Sequence, residues 1–195
     1  MEIKTEAVVL RKMEVGEHDQ LVFCFTREMG KICARAVGIN KMTSKQKNHL
    51  DLLDYSDFIL IFGKNNTYIK SAASISKYYE LKSNILKNIC ALLMLEMVDK
   101  STALFNPEPK VFELLVNTLN LLIKIKQKSS VGLFLALERY FLENLLKIQG
   151  YGQNQYFFRA NRLKPTLFFN QFNNLFEDKF YNRLNSLEVL RQIWR

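Results

Sequence analysis

Two predicted β-strands carry side chains of types that could bind a polyanion, a pair of cations on one strand and a tyrosine with a lysine on the other. In the run from Lys31 to Gly38, strand alternation places Lys31 and Arg35 on one face. Two cations would be costly in a core, so we expect that face to be wet. Tyr68 and Lys70 interleave in a later run. Cationic grooves with aromatic platforms bind single strands, at ~1–3 kcal/mol per stacked base. The spacing therefore favours binding over catalysis.

Residues for catalysis or metal binding are sparse. The two histidines, His18 and His49, have no partner at ligand or triad spacing, and no glycine-rich nucleotide loop occurs. Three cysteines stand singly in apolar runs, at positions 24, 33 and 90. That usage indicates buried thiols in a reducing compartment. The sequence predicts a protein that is not an enzyme and binds no metal or cofactor.

Composition and charge set the outer bounds. The 195 residues are 48% hydrophobic and 24% charged, enough for one large or two small domains. The longest uncharged apolar run, residues 89–95, is far shorter than the ~20 residues of a membrane span, and the first residues resemble no signal peptide. We expect a cytoplasmic protein.

The net charge of +9 favours a polyanion partner, although the codon usage of an AT-rich genome would also enrich lysine and asparagine. Residues 1–78 carry 12 basic and 9 acidic side chains, a balance of +3, and residues 79–195 carry 16 and 10, a balance of +6. Neither part of the chain is a dedicated basic arm for nucleic acid. The net charge alone is therefore weak support for nucleic-acid binding, and the positions of the cations are more informative.

The hydrophobic pattern changes from strand to helix near residue 79. Before this point, five strand-like runs cover residues 4–12, 20–26, 31–38, about 52–62 and 67–74. A longer polar connection after the third run is typical of a small closed barrel. Helical periodicity then covers about 81–103, 110–127 and 130–149, and two helices are predicted in the tail. We assign Phe23, Phe25, Phe58 and Phe62 to the barrel core.

A series of short motifs in the first 45 residues resembles a known family. An aliphatic strand ends in Leu10-Arg11, an acidic turn follows at Gly16-Glu17-His18-Asp19, and a second strand closes in Phe25-Thr26. Gly30-Lys31 opens the third strand, and a basic loop runs from Gly38 to Ser44-Lys45. This order resembles the N-terminal OB-fold of the RecO family of bacterial recombination mediators. The helical half is similar more loosely, through Asn106-Pro107 before Phe112-Glu113-Leu114-Leu115.

The resemblance implies an α+β protein, with a five-stranded OB-fold β-barrel in residues 1–78 followed by an α-helical domain in residues 79–195. It implies a mediator of DNA repair and homologous recombination that binds single- and double-stranded DNA and promotes annealing. It would load recombinase together with RecR and the C-terminal tail of single-strand-binding protein, on the nucleoid. The residues expected to contact DNA are Arg11, Lys12, Arg27, Lys31, Arg35, Lys41, Lys45 and Lys47.

Two departures from the family pattern leave an alternative open. Many members place a four-cysteine zinc site after the step that is Gly150-Tyr151 here, and this chain has no cysteine there. The basic loop is also thinner, with only Lys41 and Lys45 at basic positions and Lys47 beyond. The thinner basic loop favours the alternative of a protein–protein adaptor, in which a degenerate barrel has lost DNA binding and the helical domain does the work. An OB protein acting on RNA rests on fold analogy alone.

Overall fold

Five strands form a closed barrel in the computed structural model, which describes residues 1–42, 44, 46–64, 66–126, 131–151, 165–180 and 182–193. The strands are neighbours in the order β1-β2-β3-β5-β4, and only the contact between β3 and β5 is parallel. Their bounds are β1 Glu2–Val15, β2 Asp19–Thr26, β3 Gly30–Ala36, β4 Tyr55–Phe62 and β5 Thr67–Ser76. The predicted fold class, a five-stranded barrel followed by helices, is confirmed.

Side-chain alternation fills the barrel. In β3, Ile32 and Ala34 are buried in the core, whereas Lys31, Cys33 and Arg35 point outward and are half-buried. The prediction of a wet cationic face on this strand is confirmed. Each of the other four strands also contributes side chains to the core, among them Ala7, Val9, Val22, Cys24, Phe58, Leu60 and Ile69.

The phenylalanines divide between the two sides of the barrel wall. Phe58 lies in the core and Phe62 packs against it. Phe25 points outward from β2 but is fully buried, because the Phe112 ring covers it at a centroid distance of 6.3 Å. The assignment of Phe23 to the core is wrong, because this ring lies outside the barrel beneath Arg11.

Helices make up most of the remaining chain. They are α1 Tyr79–Lys82, α2 Ile85–Ser101, α3 Pro109–Lys124, α4 Val131–Ile148, α5 Pro165–Phe180 and α6 Asn185–Ile193, and a 3-10 turn covers Lys47–His49. Pro109 begins α3, where its fixed φ suits the first helical position and its missing N–H costs no bond. No helix in the described ranges is long and apolar enough to cross a bilayer.

The chain forms two compact units. The barrel unit consists of Met1–Tyr79 together with Thr102–Glu113, and the helical unit consists of Glu80–Ser101 with Leu114–Arg195. We call Thr102–Glu113 the return segment, because it brings the chain back to the barrel; the predicted ranges 1–78 and 79–195 contain no such return. Leu104 forms a parallel bridge with Lys31, and the Phe105 N–H donates to the Lys31 carbonyl at 2.8 Å. The segment thereby joins the edge of β3 opposite β2.

Within the helical unit, α2 is buried almost all round, as its continuous apolar run predicts, and contacts both α4 and α6. The Glu138 side chain on α4 is fully buried near the Cys90 thiol of α2. Among the described residues, neither carboxyl oxygen has a hydrogen-bond partner of good geometry. Burial raises the pKa of Glu138 well above its usual value and so favours the neutral form of the carboxyl.

Candidate nucleic-acid interface

The outward side chains of β2 and β3 align with those of β1 and β5 in two cross-strand rows. The first row joins Arg11 to Phe23 and Phe23 to Cys33. The second row continues across four strands and consists of Met13, Leu21, Arg35 and Tyr68. We call these two rows, with Lys31 at the other end of β3, the outer face. It combines cations with flat apolar surface, the combination that single-stranded nucleic acids require.

Arg11 and Phe23 form a stacked pair in the first row. The guanidinium carbon lies 3.3 Å from the centroid of the ring, and Nη1 contacts the Met13 sulfur at 3.2 Å. A guanidinium over an aromatic face is attracted by the ring quadrupole, and its planar shape is suited to stacking. The pair therefore offers a planar cation held in place by the sheet.

Arg35 in the second row is joined to the first residue of β2, Asp19. Its Nε and Nη2 donate to Asp19 Oδ2 at 2.8 and 2.7 Å, and the Gly38 N–H donates to Asp19 Oδ1 at 2.7 Å. The Gly38 amide, and after it the Arg35 guanidinium, hold the pKa of Asp19 below its usual value. Asp19 thus neutralises part of the Arg35 charge while it fixes the guanidinium plane beside Tyr68.

Arg27 lies at the opposite end of β2, in a network internal to the barrel unit. Its Nε and Nη2 donate to Glu6 at 2.9 and 2.7 Å, Nη1 lies 3.6 Å from Glu113, and the guanidinium covers the Phe112 ring at 4.8 Å. The Tyr55 hydroxyl donates to the same Glu6 carboxylate at 2.7 Å and, together with Arg27, holds the Glu6 pKa low. Arg27 therefore fastens the beginning of α3 to the barrel.

The other predicted contacts are scattered. Lys12 forms an ion pair with Asp51 at 2.9 Å, on the side of β1 opposite Arg11. Lys41 is exposed in the loop after β3 and forms no ion pair with a described residue. Lys45 lies outside the described residues, and Lys47 is the first residue of the 3-10 turn. Of the eight predicted residues, the structure brings Arg11, Lys31 and Arg35 onto one surface.

A small polar network positions the beginning of that loop. The Gln20 side chain donates to Glu14 at 3.0 Å and to the Asn40 Oδ1 at 3.1 Å, while Asn40 Nδ2 donates to Glu14 at 2.6 Å. The Asn40 N–H donates to the His18 carbonyl at 3.0 Å. The loop therefore leaves the barrel from a fixed point beside the β1–β2 hairpin, and Lys41 follows directly.

Two family models cover most of the chain. Residues 1–78 match the model described as recombination protein O N terminal, and residues 82–156 match recombination protein O C terminal. The chain belongs to the RecO family.

Curated RecO proteins show the extent of the likeness. DNA repair protein RecO of Dehalococcoides mccartyi is 32% identical over 154 residues, which cover 77% of this chain and 57% of that protein. The protein of the same name from Acetivibrio thermocellus is 28% identical over 149 residues, covering 76% and 57%. The one from Desulfitobacterium hafniense is 32% identical over 114 residues, covering 58% and 42%. The chain thus spans about half the length of these relatives.

The cysteines of this RecO chain are all free thiols. Cys24 and Cys90 are buried and Cys33 is half-buried on the outer face. Among the residues that the structure describes, no three His, Cys, Asp or Glu side chains group closely enough to hold a metal ion. The segment directly after Tyr151, in which the sequence predicts no zinc site, lies outside the described residues.

Sequence reasoning missed two contributors to the outer face. Phe23 points to the same face of β2 as Leu21 and Asp19. Both faces of this strand are mostly apolar, so alternation alone could not show which face is inside the barrel. The polar side chain of Asp19 was the available signal, since it indicates which face of β2 points outward. Tyr68 was noted beside Lys70, but its place next to Arg35 depends on the crossover from β3 to β5, which no local pattern specifies.

Proposed function

We propose that this chain is a non-catalytic mediator of DNA repair and recombination that binds single- and double-stranded DNA through the outer face of its barrel. The observation that carries the proposal is the stacked Arg11 and Phe23 pair, which lies on the same outer face as the adjacent row that pairs Arg35 with Tyr68. Five-stranded OB barrels bind oligonucleotides on the face of strands two and three. The relatives named DNA repair protein RecO support the same role.

The mechanism is electrostatic and steric. Lysines and arginines that neutralise phosphates release counterions, and they reduce the repulsion that keeps two strands apart. Stacking on the Arg11 and Phe23 pair would hold bases of one strand unpaired and accessible to a complementary strand. Annealing follows from these two properties together, without any covalent step. Phosphate contacts carry no sequence information, so binding should be general.

The partners in this proposal come from the family. RecR and the acidic C-terminal tail of single-strand-binding protein would join this chain on DNA to load recombinase, on the nucleoid in the bacterial cytoplasm. An acidic tail with apolar side chains requires a groove with a cationic rim. The helical residues 79–195 carry a balance of +6, which supports an acidic partner there.

The experiment is a titration of labelled oligonucleotides at several salt concentrations. Fluorescence anisotropy should show binding of both single strands and duplex, with log affinity falling linearly against log salt. A stopped-flow annealing assay with complementary strands should then show acceleration by the protein. Absence of binding at low salt would refute the proposal.

A protein–protein adaptor is the second candidate. Several cations of the barrel already have carboxylate partners, which reduces the charge available to phosphates: Lys4 with Asp57, Lys12 with Asp51, Arg27 with Glu6, Arg35 with Asp19 and Lys70 with Glu2. In that case the chain would bind partner proteins normally and would fail the titration at low salt.

A further inference from the structure

An aromatic side chain of the return segment lies exposed at the edge of β3. Phe105 is 54% exposed and its neighbour Leu104 is 50% exposed. Large apolar side chains are usually buried, and this adjacent pair stands beside Lys31 of the outer face. The pair is therefore a candidate for contact with a ligand.

The backbone holds Phe105 in an unusual conformation. Its φ is +56°, in the left-handed region that bulky residues avoid. Such a conformation persists only where the surroundings fix it, and such residues concentrate at functional sites. Here the Phe105 N–H donates to the Lys31 carbonyl at 2.8 Å, and the following Asn106 lies against Gly30. Phe105 is thus exposed and also fixed in place, as a stacking platform must be.

Strand geometry sets the spacing between Phe105 and the first row. Cys33 lies opposite Phe23, Lys31 lies two residues along β3 from Cys33, and Leu104 bridges to Lys31. With a rise of ~3.3 Å per residue and strands ~4.8 Å apart, the Cα atoms of Leu104 and Phe23 are separated by roughly 12 Å. Phe105 follows Leu104 directly, so its Cα atom lies about 3.8 Å from that position, and Lys31 lies between it and the first row.

We propose that Phe105 is a second base-stacking site for single-stranded DNA, at the end of the outer face opposite Arg35. The inference rests on the proposed function and deepens it, because it names unpaired bases as the ligand. A base stacks on the exposed Phe105 ring while Lys31 lies beside the phosphate that leads towards Phe23. Duplex DNA gains nothing from this site, since its bases are already stacked.

The test compares Phe105→Asn with the parent chain on two oligonucleotides of equal length, one of thymidines and one abasic. Asparagine tolerates the left-handed conformation, so the variant removes the ring without adding strain. Phe105→Tyr restores a ring, and Tyr140→Asn is the matched control, an exposed aromatic of the helical unit. We expect Phe105→Asn to weaken binding of the thymidine strand by about 5- to 150-fold, the factor for one stacked base. Binding of the abasic strand and of duplex should stay unchanged.

Phe105→Trp gives a direct signal. Its fluorescence should be quenched by the thymidine strand and not by the abasic one, with Trp194 of the parent chain as the background. Equal affinity of Phe105→Asn and the parent for the thymidine strand overturns the inference and leaves the apolar pair to a protein partner. An equal loss on the abasic strand also overturns it. If the parent binds neither oligonucleotide, the proposed function itself has failed.

Discussion

A Cβ atom on Gly30 would lie 1.8 Å from the carbonyl oxygen of Asn106. The turn between β2 and β3 and the return segment are therefore in contact through their backbones, at a distance that only glycine allows. Gly30 also has φ of +69°, a conformation that glycine adopts without cost. One residue thus serves both the hairpin and the attachment of residues 102–113 to the barrel.

The first prediction is that Gly30→Ala destabilises the barrel unit by about 2–5 kcal/mol, from left-handed strain and from overpacking against Asn106. Gly16→Ala is the matched control, because Gly16 has a φ of +66° and no atom within 4 Å of the added Cβ. That variant should lose only the strain, about 1–2 kcal/mol. Urea unfolding of the two variants measures the difference. Equal losses would mean that the contact with Asn106 is unimportant.

A second prediction separates the charge of Arg11 from its planar shape. Arg11→Lys keeps the charge but loses the flat surface that covers Phe23. Affinity for single strands should fall by about 0.5–1 kcal/mol, the value of an exposed cation–π contact, while the salt slope stays the same. Arg11→Ala should lower both quantities. Lys4→Ala, which removes an exposed cation paired with Asp57, is the control for lost charge. A Lys variant that binds like the parent would remove stacking from the mechanism.

The elements were predictable from sequence because their signals are local. Glycines and asparagines mark the turns, and the apolar period changes near residue 79, so five strands and the main helices follow from pattern alone. The side of the sheet was harder to predict. Phe23 and Phe25 point to the same face of β2, yet Phe25 is buried by Phe112 whereas Phe23 is covered by Arg11.

The state of the candidate contacts could not be predicted, because pairing of charges is a long-range property. Arg27 meets Glu113, which is 86 residues away by the numbering, and Arg35 meets Asp19 across a strand. Both arginines looked equally available in the sequence. The return segment also lacked a signal, since Leu104 and Phe105 precede a proline-containing break and have no strand periodicity. Their position at the edge of β3 is defined only by the pairing of Leu104 with Lys31, which is a long-range contact.

A third prediction concerns the basic loop. If Lys41, Lys45 and Lys47 contact phosphates, replacing all three with alanine should weaken binding similarly on every DNA sequence. The slope of log affinity against log salt should flatten by about 0.7 per lost contact on single strands. Stability should change by less than about 0.5 kcal/mol, as for other surface substitutions. An unchanged slope would assign DNA binding to the outer face alone, with Arg11, Lys31 and Arg35 as the next residues to replace.

The last prediction concerns the buried carboxyl of the helical unit. Because the folded state raises the pKa of Glu138 above its ordinary value of 4.5, the folded protein keeps a proton that the unfolded chain releases. Stability should therefore be highest below pH 4.5 as far as this group is concerned, and should fall by up to about 1.4 kcal/mol per pH unit above it, until the folded carboxyl ionises. Glu138→Met removes this dependence and the unpartnered oxygens, and we expect it to stabilise the protein at pH 7 by about 1–3 kcal/mol. Glu143→Met on the same helix is the control, because Glu143 is half-buried and paired with Arg139 at 2.7 Å. Urea unfolding between pH 4 and pH 8 measures both variants, and parallel profiles for Glu138→Met and the parent would show that the carboxyl is ionised and solvated after all.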